Sequence, residues 1–248
     1  MNAVNTMTLP RRKAALPASA SIPTGIVGLD EILGGGLPPQ SNILLYGDPL
    51  SGKKPLGMQY VYEGLRMQIP GIFVLTDFSY LDWKSKMAHS GWDLEPFERT
   101  GMVQFIDCYS RQFDPSLADS GVVSYADSPA ALSSISLQLA RVQDQLVQSF
   151  DNHRLLFHSI SSLLKETDSS TFFRFLQFMV GKFRREGATA MYTVEKGMHD
   201  EKDIKMIEHF MDGVIEFEDG KITARGLLGC RHGWQSYTVS EKGVEIRN

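Results

Sequence analysis

The chain has 248 residues, of which 42% are hydrophobic and 22% charged, a composition that excludes a chain too polar to build a core. Twenty-five Lys and Arg stand against 29 Asp and Glu, so the net charge is −4 and no global basic field draws the chain to nucleic acid. Residues 1–20 hold Pro10, Arg11, Arg12 and Lys13 without an apolar period and read as a disordered tail. Residues 21–248 then read as one domain. A short helix over 29–33 is framed by tight turns rich in Gly and Pro. Residues 42–46 form a short apolar run, which predicts a buried strand. A helix follows to about Arg66, with Pro55 in its first turn, where a missing N–H costs little. A second buried strand covers 72–76, a helix 81–90 and a strand 102–106. Residues 108–127 read as a long loop. Helical spacing recurs over 129–149, a strand over 155–157, and an aromatic helix over 168–185 whose Phe172, Phe173, Phe175 and Phe178 read as core. A strand at 188–194 and a helix at 200–211 come next. Two hairpins close the chain, 214–218 with 222–224 and 236–239 with 244–246. Strands alternating with helices predict an α/β fold, a mainly parallel sheet flanked by helices with C-terminal antiparallel hairpins.

The clearest chemical signal follows the first strand. Gly47, Asp48, Pro49, Leu50, Ser51, Gly52, Lys53 and Lys54 match the phosphate-loop pattern GxxxxGK. Glycines let the backbone wrap an anion, the next helix points its N–H groups at it, and the Lys neutralises charge. The pattern ordinarily ends in Ser or Thr, whose hydroxyl holds Mg²⁺. Here Lys54 stands there, and an ammonium repels a cation. The loop therefore predicts anion binding and argues against Mg²⁺ at the usual ligand.

Several segments resemble one family. The run from Thr24 to Pro38, TGIVGLDEILGGGLP, is similar to the opening motif of KaiC-like ATPases, a branch of the RecA superfamily. Its spacing to the phosphate loop matches, as do EGLR at 63–66 and Pro70-Gly71. SGWDLEP at 90–96, MDGVIEF at 211–217 and RHGWQSYTVSEKGVEI at 231–246 resemble further family segments. The likeness spans about residues 21–247. It implies a RecA-like P-loop core, ATP bound between subunits, and ring-shaped or hetero-assembled oligomers with homologous subunits or other protein partners.

The chain departs from the family at the positions that do chemistry. Paired carboxylates that activate water follow the family's second strand; here the segment reads Thr76-Asp77-Phe78. Asp77 is either a weak general base or a cap on the strand end. The family's Walker B strand ends in an Asp that organises Mg²⁺, and His158 replaces it. A neutral imidazole is no anionic partner for a hard cation. His158 either meets a phosphate or is satisfied inside the fold. A family Lys-x-Arg-Gly run that reaches the neighbouring subunit's phosphate aligns with Gly226-Leu227-Leu228-Gly229, and Arg225 and Arg231 stand nearby.

These departures fall on one chemistry while the fold-making segments persist. The leading expectation is a degenerate family member, a pseudo-ATPase with a regulatory or assembly role that binds ATP without efficient hydrolysis. The alternative is a slow ATPase in signalling, using Asp77 as base. A DNA-binding role has little behind it, because residues 108–127 hold Asp114, Asp119 and Asp127 against Arg111 alone. No metal site is expected: His199 and His209 lie near acids without ligand spacing. Cys108 and Cys230 are too few for a disulfide framework, and Cys108 reads as buried and inert. No apolar run reaches a membrane span, and a cytoplasmic location is expected. Trp92 and Trp234 read as packing residues.

Overall fold

A computed structural model describes residues 21–247, so the tail expected at 1–20 lies outside the described residues. In chain order the elements are α1 (Val27–Ile32), β1 (Asn42–Gly47), α2 (Lys53–Arg66), β2 (Gly71–Leu75), α3 (Tyr80–His89), α4 (Glu95–Arg99), β3 (Val103–Asp107) and β4 (Val123–Tyr125). Then come α5 (Leu132–Leu146), β5 (His153–His158), α6 (Ile160–Glu166), α7 (Ser169–Arg185), β6 (Ala188–Glu195) and α8 (Glu201–Phe210). Four strands close the chain: β7 (Gly213–Glu218), β8 (Lys221–Arg225), β9 (Gln235–Ser240) and β10 (Gly243–Arg247).

The ten strands among the described residues join one sheet in the order β10-β9-β8-β7-β1-β6-β5-β2-β3-β4. From β7 to β4 the pairing is parallel, and β8, β9 and β10 add antiparallel strands at one edge. Burial on both faces explains why the central strands read as unbroken apolar runs. Alternation sorts their side chains. Ile43 and Leu45 of β1 face a core layer with Leu56, Tyr60 and Val61 of α2. Leu44 faces the opposite layer, with Ile135 and Leu139 of α5 and Phe172 and Leu176 of α7.

Inside the first layer sits a buried charge. Arg154 of β5 is 1% exposed. Its guanidinium donates to the carbonyls of Pro23, Thr24 and Tyr60, and lies 4.5 Å from the Tyr60 ring centroid. One side chain thus ties the N-terminal segment to the sheet and to α2. Charge-assisted bonds to carbonyls offset the cost of burying it.

The structure corrects several expectations. Residues 108–127 are not one long loop: a 3₁₀ turn at Ser110–Gln112 and edge strand β4 lie within them. Arg111 organises this stretch, donating to the Leu117 and Tyr125 carbonyls, so tertiary bonds replace the missing apolar pattern. Helix α5 is shorter than the 129–149 stretch. Helices α4 and α6 were not predicted; each is about two turns or less, too short for a clear period. Of the α7 phenylalanines, Phe172 and Phe175 are buried, Phe173 is half-buried and Phe178 is 57% exposed, because it points off the apolar stripe. Trp92 packs in the core, but Trp234 is 42% exposed in the loop before β9.

Candidate functional site

In open α/β sheets, ligands meet the carboxyl ends of the parallel strands. Here the ends of β1, β2, β5 and β6 bring together the phosphate loop, Asp77 and Phe78, His158, and Glu195. The loop turns on two unusual residues. Gly52 has φ 99° and Leu50 has φ 64°. A Cβ on Gly52 would lie 2.9 Å from Val239 Cγ2 and 3.3 Å from Tyr237 Cε2, so glycine is required by both conformation and contact. Gly52 also caps α2 without a side-chain bond, which leaves the first N–H groups of this 14-residue helix open to an anion.

Lys53 is 3% exposed and folded back over its own loop. Its ammonium donates to the carbonyls of Gly47 (2.7 Å) and Asp48 (2.5 Å), to Ser51 Oγ (3.2 Å) and to Glu195 Oε2 (2.9 Å). Three protons meet four acceptors, so the ammonium is fully engaged. Burial pushes its pKa down, and the Glu195 carboxylate opposes that. A phosphate entering the cradle would exchange with these acceptors. The terminal hairpin closes the other side. Tyr237 Oη donates to the Ser51 carbonyl, and the Val244 N–H donates to Gln59 Oε1 of α2 at 2.9 Å.

Beyond Lys53 the site becomes aromatic. His158 is 5% exposed and stacks on Phe78, with ring centroids 5.8 Å apart and planes at 18°. Trp83 of α3 adds a third ring, 5.1 Å from His158 and 6.0 Å from Phe78. His158 Nδ1 is 2.8 Å from Thr193 Oγ1. Of the two expectations for this residue, the structure favours a satisfied strand-end histidine. Burial, then the nearby Lys54 and Lys53 charges, push its pKa down to about 3, so the ring is neutral. Lys54 lies with its ammonium 4.4 Å from the Phe78 centroid. Its pKa is lowered by burial first and by Lys86 second.

Asp77 brings a carboxylate to the same strand ends. It accepts from Ser162 Oγ and, at 3.4 Å, from Thr76 Oγ1. Burial raises its pKa, and the two hydroxyls work against that. Farther off, Arg225 bonds to Glu208 at 2.6 Å and lies 3.4 Å from Glu216. That engagement within its own chain makes it a poor substitute for a cation reaching into a neighbour. Cys108 is buried and its thiol is pushed well up by burial, then by Asp107 and Asp77, in line with an inert thiol. Among the described residues, no group of three or more His, Cys, Asp and Glu side chains is placed to hold a metal ion. No described helix is long and apolar enough to cross a membrane.

A ten-stranded sheet with a phosphate loop after β1 and antiparallel strands at the far edge invites comparison with known ATPases. The family model described as "ATPase: KaiC" matches residues 22–229. The chain belongs to the KaiC ATPase family. Membership implies a nucleotide ligand. A UPF0273 protein from Thermotoga maritima is 27% identical over 247 residues, covering 91% of this chain and 95% of that protein. One from Methanopyrus kandleri is 24% identical, covering 91% of each. A Pyrococcus horikoshii UPF0273 protein is 39% identical over 89 residues, 36% of each chain. In fold, the chain resembles the crystal structure of a KaiC-like protein from Pyrococcus horikoshii, with a TM-score of 0.72 and 20% identity, over 92% of this chain and 99% of that one.

Sequence reasoning placed the phosphate loop, Asp77, Phe78 and His158 at one site, and the structure brings them together. It missed Glu195, Ser162, Thr193 and Lys86. A carboxylate ending an apolar strand, as Glu195 ends TAMYTVE, is the signal that was available. Ser162, Thr193 and Lys86 have no such signature.

Proposed function

We propose that this chain is a degenerate KaiC-family module that binds ATP or a similar nucleotide without efficient hydrolysis and serves a regulatory or assembly role. The observation that carries the reading is the Phe78–His158–Trp83 stack with Lys54 against it. The family places water-activating and metal-organising carboxylates here. Phosphoryl transfer depends on positioning and charge stabilisation, and a neutral imidazole and a phenyl ring supply neither. Lys54 and His158, at the two positions where the family holds Mg²⁺, do not fit it, and the Glu195 carboxylate is paired with Lys53. A hard cation wants oxygens, and the nearest new charge is the Lys54 ammonium. The phosphate cradle itself is intact: Gly47, Gly52, Lys53 and the open start of α2 remain an anion site.

The partners proposed are homologous KaiC-like subunits or other proteins. Leu228 supports this, being 99% exposed in the run where the family has cations that reach a neighbour. Titration calorimetry with ATP in EDTA, paired with a phosphate-release assay, tests the reading. Binding without turnover is expected. Absence of binding at millimolar ATP, or brisk turnover, overturns it.

One observation favours a second reading, a slow ATPase. Asp77 is held by Ser162 and Thr76, and its raised pKa suits a general base. Turnover that vanishes in Asp77→Asn would establish it.

A further inference from the structure

Lys54 has a companion that the phosphate-loop pattern does not foresee. Lys86 sits on α3, one turn after Trp83, and its ammonium lies 5.5 Å from the centroid of the same Phe78 ring that Lys54 approaches to 4.4 Å. Helix α3 is set firmly. Ser79 caps it, accepting from the Asp82 N–H at 3.0 Å, and Trp83 and Met87 are buried beneath it. Two cations are thus brought to one ring from two different helices.

Neither lysine forms an ion pair with a carboxylate among the described residues, whereas Lys53, Lys84, Lys182 and Lys196 each do. Burial first and Lys86 second lower the Lys54 pKa, while Glu195 and Asp77 act against them. The half-buried Lys54 and the exposed Lys86 carry like charges to one ring and repel, and the ring relieves only part of that cost. An anion between them would relieve the rest. Phosphate oxygens are the anion at hand, because Lys54 directly follows the phosphate-loop Lys53.

We infer that Lys54 and Lys86 form a two-ammonium clamp for the terminal phosphate of a nucleoside triphosphate bound without a metal ion. The inference rests on the nucleotide-binding reading above and adds the ligand class: a metal-free triphosphate rather than its Mg²⁺ complex or a diphosphate. The inner phosphates take the loop N–H groups and Lys53. The terminal phosphate carries the charge that Mg²⁺ would otherwise screen, and the clamp meets it. Through Lys86, α3 distinguishes a triphosphate from a diphosphate.

The test is titration calorimetry with ATP and with ADP in EDTA, on the full chain and on Lys86→Ala. Lys86 is exposed on α3, so the variant keeps its fold, and an unchanged melting curve verifies that. The wild-type chain is expected to bind ATP more tightly than ADP. In Lys86→Ala, ATP binding weakens about tenfold, as for loss of one charge-assisted contact, and ADP binding changes less than about twofold. Adding Mg²⁺ weakens ATP binding to the wild type and strengthens it in Lys54→Thr. If the wild type binds neither nucleotide, the nucleotide reading falls and the clamp with it. If it binds both, and Lys86→Ala lowers both alike or neither, the clamp is overturned and the reading stands. Mg²⁺ that tightens ATP binding to the wild type also overturns the clamp.

Discussion

His158 offers a direct check on the aromatic stack, because burying a neutral imidazole makes stability depend on pH. Its pKa is pushed from the ordinary 6.5 to about 3 in the folded chain. The unfolded chain therefore binds a proton between those values that the folded chain refuses. Stability contributed by this residue is complete above pH 6.5 and is lost as pH falls toward 3. At about 1.4 kcal/mol per pH unit, going from pH 6.5 to pH 5 removes about 2 kcal/mol. His153, whose pKa burial pushes down to about 4, acts in the same direction and removes about 2 kcal/mol more. His158→Gln keeps a partner for Thr193 Oγ1 and removes the titration. Urea unfolding at pH 6.5 and pH 5 measures both chains. The wild type is expected to lose about 2 kcal/mol more than the variant over that interval. Equal losses would mean that His158 is not buried against Phe78 and Trp83, and the stack behind the proposed function would lose its support.

Three further outcomes follow from the packing. Arg154→Met leaves the Pro23, Thr24 and Tyr60 carbonyls without their donor and should cost about 3 kcal/mol, read as a fall of roughly 6–12 °C in Tm. Gly52→Ala forces a Cβ onto a left-handed backbone against Val239, so a loss of about 1–2 kcal/mol is expected in chemical denaturation, part of it recovered by adding Val239→Ala. On α7, Phe172→Ala should cost about 3–5 kcal/mol while Phe178→Ser stays within about 0.5 kcal/mol, a contrast that thermal melts resolve.

The sequence by itself determined the alternation of the longer strands and helices, though not β4, α4 or α6, and the reason is period. Runs such as NILLY and IFVL are unbroken because both faces of the central strands are covered. It also located the phosphate loop, since a backbone that wraps an anion needs Gly47 and Gly52 at set spacing. Lys54, Phe78 and His158 stood out in the sequence only by its resemblance to the family pattern. What those residues do was not visible there. Whether His158 meets a phosphate or closes on the fold depends on Thr193, 35 residues away, and on Trp83 from another helix. Arg154 lies just outside the strand expected at 155–157, and nothing local signals that three carbonyls from two distant segments converge on it. Phe178 reads as core because local composition cannot say where the apolar stripe of α7 ends. Lys86 and Lys54 stand 32 positions apart and come together only because the chain folds both helices against Phe78. Period and motif are local, so a single chain spells them out. Charge pairing, pKa and burial are sums over neighbours, and only the tertiary structure decides who the neighbours are.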